Sequence, residues 1–390
     1  MRILFVSFIN DSWGGSEVLW SDAAEVALAR GHQVAISAIA HPTVAPRIAF
    51  LQKAGAFVDF RSGYVDARWH FRKRIAMKAW YLLRNRIRGP FAPVLRWKPD
   101  LIVFTGGCYA IVENYDLVKF SQEKNIPLVL NNQVNIEYTR PLSFDSYTVL
   151  RRVYDDVALA TFVSERNLKV VERHLAQNLR NAIVLRNPVN LTSSTIVPWP
   201  KSEHGFRMAI VANVLVNHKG HDLLLEVFGQ EKWRTRPLTL HIYGKGKDEE
   251  YIHDLIKFYG LKGRVFLEGV AQNIREVWAK NHLMVLPSLN EGMPLAVVEA
   301  MLCGRPVVAT DVGGNTEWIA HGVEGFIAPG ANTPALDETL ELAWQRRGEW
   351  EDMGLKAHNR ASIQHDENAG QTFLENIVSA AKARYKVNFC

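Results

Sequence analysis

Short apolar runs alternate with amphipathic segments along most of this chain. The runs at 2–8 and 33–38 have the length of strands, and between them apolar residues recur at helical spacing from Val18 to Leu28. A strand, a glycine-containing loop, a helix and a second strand form a βαβ unit. The alternation continues along the chain, which predicts parallel sheets with helices on both faces.

The remaining strand-length runs divide into two groups. They are 56–60, 100–104, 127–130, 160–163 and 183–185 in the first group, and 206–213, 238–243, 265–267, 283–286 and 307–309 in the second. The stretch between the groups is rich in Pro, Ser and Thr, which is typical of a linker. We therefore predict a first α/β domain at 1–187, a linker at 188–205 and a second α/β domain at 206–365.

Composition agrees with two folded domains. At 390 residues with 48% apolar residues, the chain can bury two cores. Its three cysteines, Cys108, Cys303 and Cys390, lie far apart and form no C-x-x-C pair, which indicates a reducing compartment. Cys303 is interpreted as a buried helix residue rather than a nucleophile. The first residues are interpreted as a strand rather than a signal peptide. The sequence contains no run of about 18 apolar residues, so we predict no membrane span.

One segment has an unusual charge. Residues 67–99 contain ten Lys or Arg and no acidic residue, with aromatic and aliphatic residues between them. This pattern predicts a basic amphipathic helix of the kind that lies on an anionic membrane. The alternative is a solvated basic face over a core helix. No nucleic-acid motif accompanies the charge, so we expect no nucleic-acid partner.

The stretch 287–329 has the most specific pattern. Two carboxylates, Glu291 and Glu299, stand eight positions apart, about 12 Å if the steps were helical. Pro294 suits the first position of a helix, and Gly304 suits its end. Free N–H groups at a helix start attract a phosphate, while carboxylates accept hydrogen bonds from hydroxyls. The two groups together match a nucleotide-sugar; the alternative is two surface glutamates around an ordinary helix.

The run E-G-M-P-L-A-V-V-E-A-M-L-C-G-R-P-V-V-A-T-D-V-G-G closely resembles the signature of retaining glycosyltransferases of family 4, which have the GT-B fold and an E-x7-E motif. The resemblance implies two Rossmann-like, doubly wound parallel-sheet domains facing a central cleft, with the C-terminal helix 366–390 rejoining the first domain. It implies that Glu291 faces the donor sugar and Glu299 binds the donor ribose. The backbone that it places against the sugar and diphosphate is that of Gly292, Met293, Pro294 and Leu295.

A second donor contact is expected at Lys219, which precedes Gly220 at a predicted helix start. A lysine there can neutralise the charge of a leaving diphosphate, which makes Lys219 a catalytic candidate with Glu291. The family has an arginine several residues earlier, but 209–218 contains none. We therefore expect the remaining donor contacts from Asn213, His218, Gly244, Lys245 and Val270.

The acceptor side is expected on the first domain. A G-G-S-E loop places Gly14, Gly15 and Ser16 before a helix, and the resembled family has a similar loop on its acceptor side; a simple tight turn is the alternative. Asn132 and Gln133 follow a predicted strand, where ligands collect in open α/β sheets. Many family members have a histidine at such a position, and this chain has none.

The leading interpretation is a retaining glycosyltransferase that moves a sugar from a nucleotide-sugar to a hydroxyl of a glycan or lipid-linked glycan. We expect a UDP-sugar as co-substrate, no cofactor and, since no D-x-D motif is present, no metal. The expected location is the cytoplasm, free or peripheral on the inner face of the membrane. One alternative is a nucleotide-sugar 2-epimerase, which needs acid–base carboxylates or histidines that we do not find at the strand ends of the first domain. The other is a non-catalytic nucleotide-sugar-binding protein.

Overall fold

The computed structural model describes residues 1–9, 13–62, 70–137, 143–191, 193–203 and 205–387. The chain divides into two compact units. The first comprises Met1–Pro188 together with Asp366–Cys390, and the second comprises Val189–His365. Each unit is an α/β domain built on one parallel sheet, so the predicted fold class is confirmed.

The first unit has seven parallel strands. They are β1 Arg2–Ser7, β2 Gln33–Ile39, β3 Phe57–Arg61, β4 Leu101–Gly106, β5 Leu128–Asn132, β6 Leu159–Phe162 and β7 Ala182–Val184. Its helices, up to the boundary, are α1 Val18–Ala29, α2 Pro46–Lys53, α3 Phe71–Arg88, α4 Ala92–Arg96, α5 Tyr115–Lys124, α6 Phe144–Asp156 and α7 Glu165–Leu175. The strand order is β3-β2-β1-β4-β5-β6-β7, with β1 paired to both β2 and β4.

The second unit has six parallel strands. They are β8 Phe206–Val211, β9 Leu238–Tyr243, β10 Val265–Gly269, β11 Leu283–Leu286, β12 Val307–Thr310 and β13 Gly325–Ala328, in the order β10-β9-β8-β11-β12-β13. Its helices are α8 Val216–Lys219, α9 His221–Gly229, α10 Glu231–Arg234, α11 Glu249–Phe258, α12 Ile274–Lys280, α13 Leu295–Leu302, α14 Asn315–Trp318, α15 Thr333–Gln345 and α16 Trp350–Gln364.

The last helix, α17 Ala369–Val387, packs on the first unit. Phe373, Leu374 and Ile377 are buried in the same cluster as residues of β1 and α1. Gly370 lets the helix approach closely, because a Cβ there would lie 2.6 Å from the Asp22 Cβ. Residues 388–390, and with them Cys390, lie outside the described residues.

Two predicted helices differ in detail from the structure. Residues 67–99 do not form one helix: α3 ends before Gly89, whose positive φ of 67° and following proline stop it, and α4 begins after them. Residues 67–69 lie outside the described residues. The helix expected to begin at Lys219 is also divided, because Gly220 adopts a left-handed conformation between α8 and α9.

No helix in the described part of the chain is long and apolar enough to cross a membrane. Cys108 and Cys303 are buried free thiols, so the expected burial of Cys303 is confirmed. The residue directly follows α13 and is not within the helix as predicted. Burial raises the pKa of the Cys303 thiol to about 11, which keeps it protonated at neutral pH.

Candidate functional site

The order of strands marks one point on each sheet where connections leave in opposite directions. In the second unit this point lies between β8 and β11, and in the first it lies between β1 and β4. Ligands of open α/β sheets bind outside the carboxyl ends of the strands at such a point. Lys219 lies in the segment that follows β8, and Glu291 lies in the segment that follows β11.

The structure brings Lys219 and Glu291 together although 72 positions separate them. The Lys219 Nζ donates to the Glu291 Oε1 at 2.6 Å, and the Ser288 hydroxyl donates to the same oxygen at 2.7 Å. Glu291 is almost fully buried, whereas the Lys219 side chain is 23% exposed. An ammonium has three donors, so Lys219 keeps donors for a second anion while it holds Glu291.

A close approach of two loops makes this contact possible. A Cβ on Gly220 would lie 2.1 Å from the Pro287 carbonyl oxygen, and the φ of Gly220 is +63°. Only glycine combines that conformation with that proximity. The Leu289 N–H then donates to the His218 carbonyl at 2.9 Å and joins the two loops. The His218 carbonyl therefore helps to hold the loop of Lys219 against the loop of Glu291, while the His218 side chain is exposed.

Glu299 lies on α13 and is also buried. Its Oε1 accepts a hydrogen bond from the Asn190 backbone N–H at 3.1 Å, so the segment that begins the second unit contacts this carboxyl. Burial raises the pKa of Glu299 to about 7, and the Asn190 N–H opposes that shift only in part. Pro294 directly precedes α13, which begins at Leu295, so the expectation that the proline is the first helical residue is wrong by one position.

This carboxyl predicts a pH-dependent stability. The free energy of unfolding is highest well below pH 4.5, where Glu299 is protonated in folded and unfolded chains alike. It falls as the pH rises toward 7, because the carboxyl ionises more readily in the unfolded chain. We expect Glu299→Gln to stabilise the protein relative to the wild type at pH 8, by up to about 3 kcal/mol, and to have little effect near pH 4. Chemical unfolding of both proteins at the two pH values measures this. An equal effect at both would contradict the assigned burial.

The other predicted donor contacts all follow the carboxyl ends of strands in the second unit. Asn213 follows β8, Gly244 and Lys245 follow β9, and Val270 follows β10. Asn213, Lys245 and Val270 are exposed. Gly244 lies so close to the Ala212 carbonyl that a Cβ would clash with it at 1.9 Å. All four residues thus lie at one edge of the sheet. Their contact with a donor stays a prediction.

On the first unit, Gly14, Gly15 and Ser16 form the turn between β1 and α1. Residues 15–17 are a short 3-10 helix, and residues 10–12 of the preceding loop lie outside the described residues. The next residue is Glu17, which is 2% exposed and whose pKa burial raises to about 7. The sequence analysis did not identify Glu17 as a candidate acid–base carboxylate of the first domain. The structure shows this carboxyl in the segment that follows β1, although its side chain is buried.

Asn132 and Gln133, the predicted acceptor contacts after β5, are buried in a hydrogen-bond network. The Asn132 amide donates to the Thr161 carbonyl and accepts from the Tyr154 hydroxyl. Gln133 donates to Asn131 and accepts from Asn187. Both side chains thus hold neighbouring segments in place, and their contact with an acceptor remains a prediction.

The structure also reveals a residue that sequence reasoning did not single out. Arg305 is fully buried, and its guanidinium donates to backbone carbonyls on three segments of the second unit. The acceptors are the carbonyls of Trp278, Asn281, Val197, Pro198, Cys303 and Gly304. Its charge also lies 5.0 Å from the centre of the Trp199 ring. Arg305 therefore fastens the segment at 197–199 to the C-terminal end of α13, the helix that carries Glu299.

Comparison with known proteins agrees with this geometry. Residues 198–360 match the family model of glycosyl transferases group 1. This range contains Lys219, Glu291 and Glu299 and lies within the second unit, so the match covers the candidate donor side.

Curated relatives match over less than half of the chain. The chain is 31% identical over 161 residues to an exopolysaccharide phosphotransferase from Streptomyces coelicolor, covering 41% of this chain and 17% of the relative. It is 40% identical over 140 residues to a D-inositol 3-phosphate glycosyltransferase from Jonesia denitrificans, covering 32% of each. The chain thus spans less than half the length of the curated relatives it matches.

Solved structures match over nearly the whole chain. Anabaena HepE, in a crystal structure with UDP and glucose, superposes with a TM-score of 0.70 at 19% identity and covers 97% of this chain and 100% of its own. At this identity the likeness concerns the fold. Both α/β units therefore have the GT-B fold, and residues 198–360 match the model of glycosyl transferases group 1.

Proposed function

We propose that this chain is a retaining glycosyltransferase of the family 4 type, which moves a sugar from a nucleotide-sugar to a hydroxyl of a glycan or lipid-linked glycan. The observation that carries the proposal is the Lys219–Glu291 pair at the point between β8 and β11, beside the helix of Glu299. A cation next to a helix start offers a site for a diphosphate. The adjacent carboxylates offer acceptors for sugar and ribose hydroxyls.

In the proposed reaction the bond between the anomeric carbon and the diphosphate oxygen breaks first. Lys219 and the N-terminus of α13 stabilise the charge on the departing nucleoside diphosphate. Glu291 accepts hydrogen bonds from the sugar and stabilises positive charge at its anomeric carbon, while Glu299 accepts them from the ribose. The acceptor oxygen attacks on the face that the diphosphate leaves, and a phosphate oxygen takes the acceptor proton. No protein base is needed, which agrees with an asparagine and a glutamine, Asn132 and Gln133, at the carboxyl end of β5.

A UDP-sugar is our first choice of donor, supported by the UDP in the HepE structure. We propose activity without a divalent metal, because the sequence contains no D-x-D motif. A thermal-shift screen against UDP-, GDP-, ADP- and TDP-sugars tests the donor class, since a ligand that binds only the folded state raises its stability. Selective stabilisation by one base is expected and should persist in EDTA. No shift with any of the four would contradict a nucleotide-sugar site.

The rival functions predict different products. A 2-epimerase would convert the nucleotide-sugar without an acceptor, and a binding protein would leave it unchanged. The buried Glu17 supplies a carboxyl on the first unit, but with 2% exposure it has no surface for a sugar. Chromatography of the nucleotide-sugar after incubation separates the three functions: we expect free nucleoside diphosphate and no epimer.

The proposal extends to an anionic membrane surface, which the basic segment would contact. Four large apolar side chains of α3 are strongly exposed: Phe71 is 69%, Ile75 51%, Trp80 49% and Leu83 59% exposed, whereas Met77 is half-buried. Basic residues lie between the first three of them, at 72–74 and at Lys78. A core helix under a basic face would bury such residues, so the exposure favours docking on lipid at the inner face of the membrane.

Vesicle co-sedimentation tests the membrane contact. We expect binding to vesicles that contain phosphatidylglycerol and weaker binding to phosphatidylcholine alone. Replacing both Trp80 and Leu83 by serine should reduce binding by about tenfold or more, because each buried apolar side chain contributes about 1.5–3 kcal/mol. Phe258→Ser, at a 77% exposed position of the second unit, is the matched control and should bind like the wild type. Equal, negligible binding to both vesicles would refute the contact.

A further inference from the structure

Two loops of the second unit lie directly on each other at the carboxyl edge of its sheet. The loop after β8 leads into α8, the single helical turn that ends at Lys219, and the loop after β9 leads into α11. A Cβ on Gly246 would lie 2.1 Å from the Val214 carbonyl oxygen, so a larger residue would push the loops apart. The Val214 N–H donates to the Lys245 carbonyl at 3.1 Å. The loop after β9 therefore supports the backbone that carries Lys219.

Asp248 forms a side-chain link between these two loops. It directly precedes α11, the position where an aspartate usually accepts a hydrogen bond from the first turn of its own helix. Among the described residues its carboxylate makes no such bond. Its Oδ2 instead accepts from the Val216 N–H at 2.9 Å, and Val216 is the first residue of α8. Asp248 thus caps the turn that carries Lys219 rather than its own helix.

The position of α8 depends on contacts from outside the turn. The first N–H groups of a helix have no carbonyl partner within it, and a helix of one turn is not stable by itself. Gly220, with a φ of +63°, ends α8 after four residues. The Lys219 Nζ nevertheless has a defined place, 2.6 Å from the Glu291 Oε1. Asp248 supplies an outside contact at the first residue of the turn, three positions before Lys219.

The half-buried Asp248 side chain also brings a negative charge to this part of the unit. Burial, with a smaller contribution from the Lys219 charge, lowers the pKa of the buried His221 imidazole to about 4, and the Asp248 charge opposes that shift. Both charges therefore lie within electrostatic reach of one imidazole. Asp248 has two means of acting on α8, a hydrogen bond and a charge, and asparagine separates them because it keeps an acceptor oxygen without the charge.

We propose that Asp248 is a positioning residue for sugar transfer, which holds α8 so that the Lys219 ammonium meets the leaving diphosphate. The inference rests on the proposed function, since Lys219 meets a diphosphate only in a nucleotide-sugar enzyme. Asp248 touches no substrate; it acts through the Val216 N–H, by its hydrogen bond rather than by its charge. A displacement of about 1 Å at a reacting group can cost about 100-fold in rate, so a link of this kind has a measurable effect.

Kinetics of Asp248→Ala in the full chain, with the nucleotide-sugar that the thermal-shift screen selects, test the inference. We expect kcat to fall about tenfold or more and the donor KM to change less than about threefold, because Lys219 acts on charge that develops as the bond breaks. Asp248→Asn keeps an acceptor oxygen and should retain kcat within about threefold. Asp254→Ala removes the same type of side chain from an exposed position of α11 and, as the control, should match the wild type.

The Lys219→Ala background separates positioning from general structural support. In that background Asp248→Ala should change kcat by less than about twofold, because the side chain that it positions is gone. A general loss of structure would instead lower kcat by the same factor in both backgrounds. Hydrogen exchange of the backbone amides at 212–220, followed by mass spectrometry, should become faster in Asp248→Ala and stay near the wild-type rate in Asp248→Asn.

The outcomes separate this inference from the proposed function. If the wild type transfers sugar, an unchanged kcat in Asp248→Ala, an equal loss in both backgrounds or unchanged exchange at 212–220 would overturn the positioning role and leave the transferase standing. A loss in Asp248→Asn as large as in Asp248→Ala would overturn the hydrogen bond as the means of positioning. No turnover of any nucleotide-sugar by the wild type would overturn the proposed function and the positioning role with it.

Discussion

Lys219→Ala and Glu291→Ala are each expected to lower kcat/KM for sugar transfer by about 100-fold or more. The Lys219 ammonium is the positive charge placed to meet the leaving diphosphate, and loss of one such donor typically costs about 10²–10³ in rate. Glu291 holds that ammonium at 2.6 Å and is itself the proposed sugar contact. Because the two side chains act as a pair, the double variant should lose little more than either single variant.

Steady-state kinetics with the donor that the screen selects measures this effect. Lys247→Ala removes another lysine from the loop after β9, where the side chain is exposed, and should keep near wild-type kcat/KM. Removal of the lysine leaves Glu291 with the Ser288 hydroxyl as its hydrogen-bond partner among the side chains that the structure describes. Thermal unfolding of every variant therefore separates a loss of catalysis from a loss of folding. Near-normal turnover by either alanine variant, or additive losses in the double variant, would refute the assigned roles.

Arg305→Leu is expected to destabilise the second unit by about 3–5 kcal/mol. The substitution removes a guanidinium that donates to carbonyls of three segments and leaves them buried without partners. Burial lowers the pKa of Arg305 only to about 10, so the side chain is charged at neutral pH and its bonds are charge-assisted. Lysine cannot replace the planar fork, so Arg305→Lys should lose much of the same free energy.

Urea unfolding monitored by tryptophan fluorescence measures this loss, because Trp199 and Trp278 both lie against Arg305. Arg234→Leu, at an exposed arginine of the same unit, is the control and should change stability by less than about 0.5 kcal/mol. A loss below about 1 kcal/mol for Arg305→Leu would show that the carbonyls find other partners.

The fold could be predicted well from sequence because its signals are local, and the candidate donor residues also have local signals. Strand-length apolar runs and helical spacing identify the two parallel sheets. The turn before α13 and the glycine after it, Gly304, mark that helix in a short stretch of chain. Glu291 and Glu299 are identified through a resemblance that extends over one continuous run, and Lys219 through its position before Gly220 at a predicted helix start.

Contacts between distant segments could not be predicted. The Lys219–Glu291 bond, the Asn190–Glu299 bond and the carbonyls around Arg305 depend on how strands order themselves in the sheet. The same holds for Asn132, whose amide donates to the Thr161 carbonyl and accepts from the Tyr154 hydroxyl. No local pattern in the sequence predicts those partners.

The most direct test of the central claim is the product formed by the wild-type protein from the nucleotide-sugar that stabilises it, with a glycan acceptor present. We predict release of the nucleoside diphosphate and a glycoside whose anomeric proton, followed by NMR, shows the same configuration as in the donor. Inverted configuration would contradict retention, and an epimerised or unreacted nucleotide-sugar would contradict a glycosyltransferase.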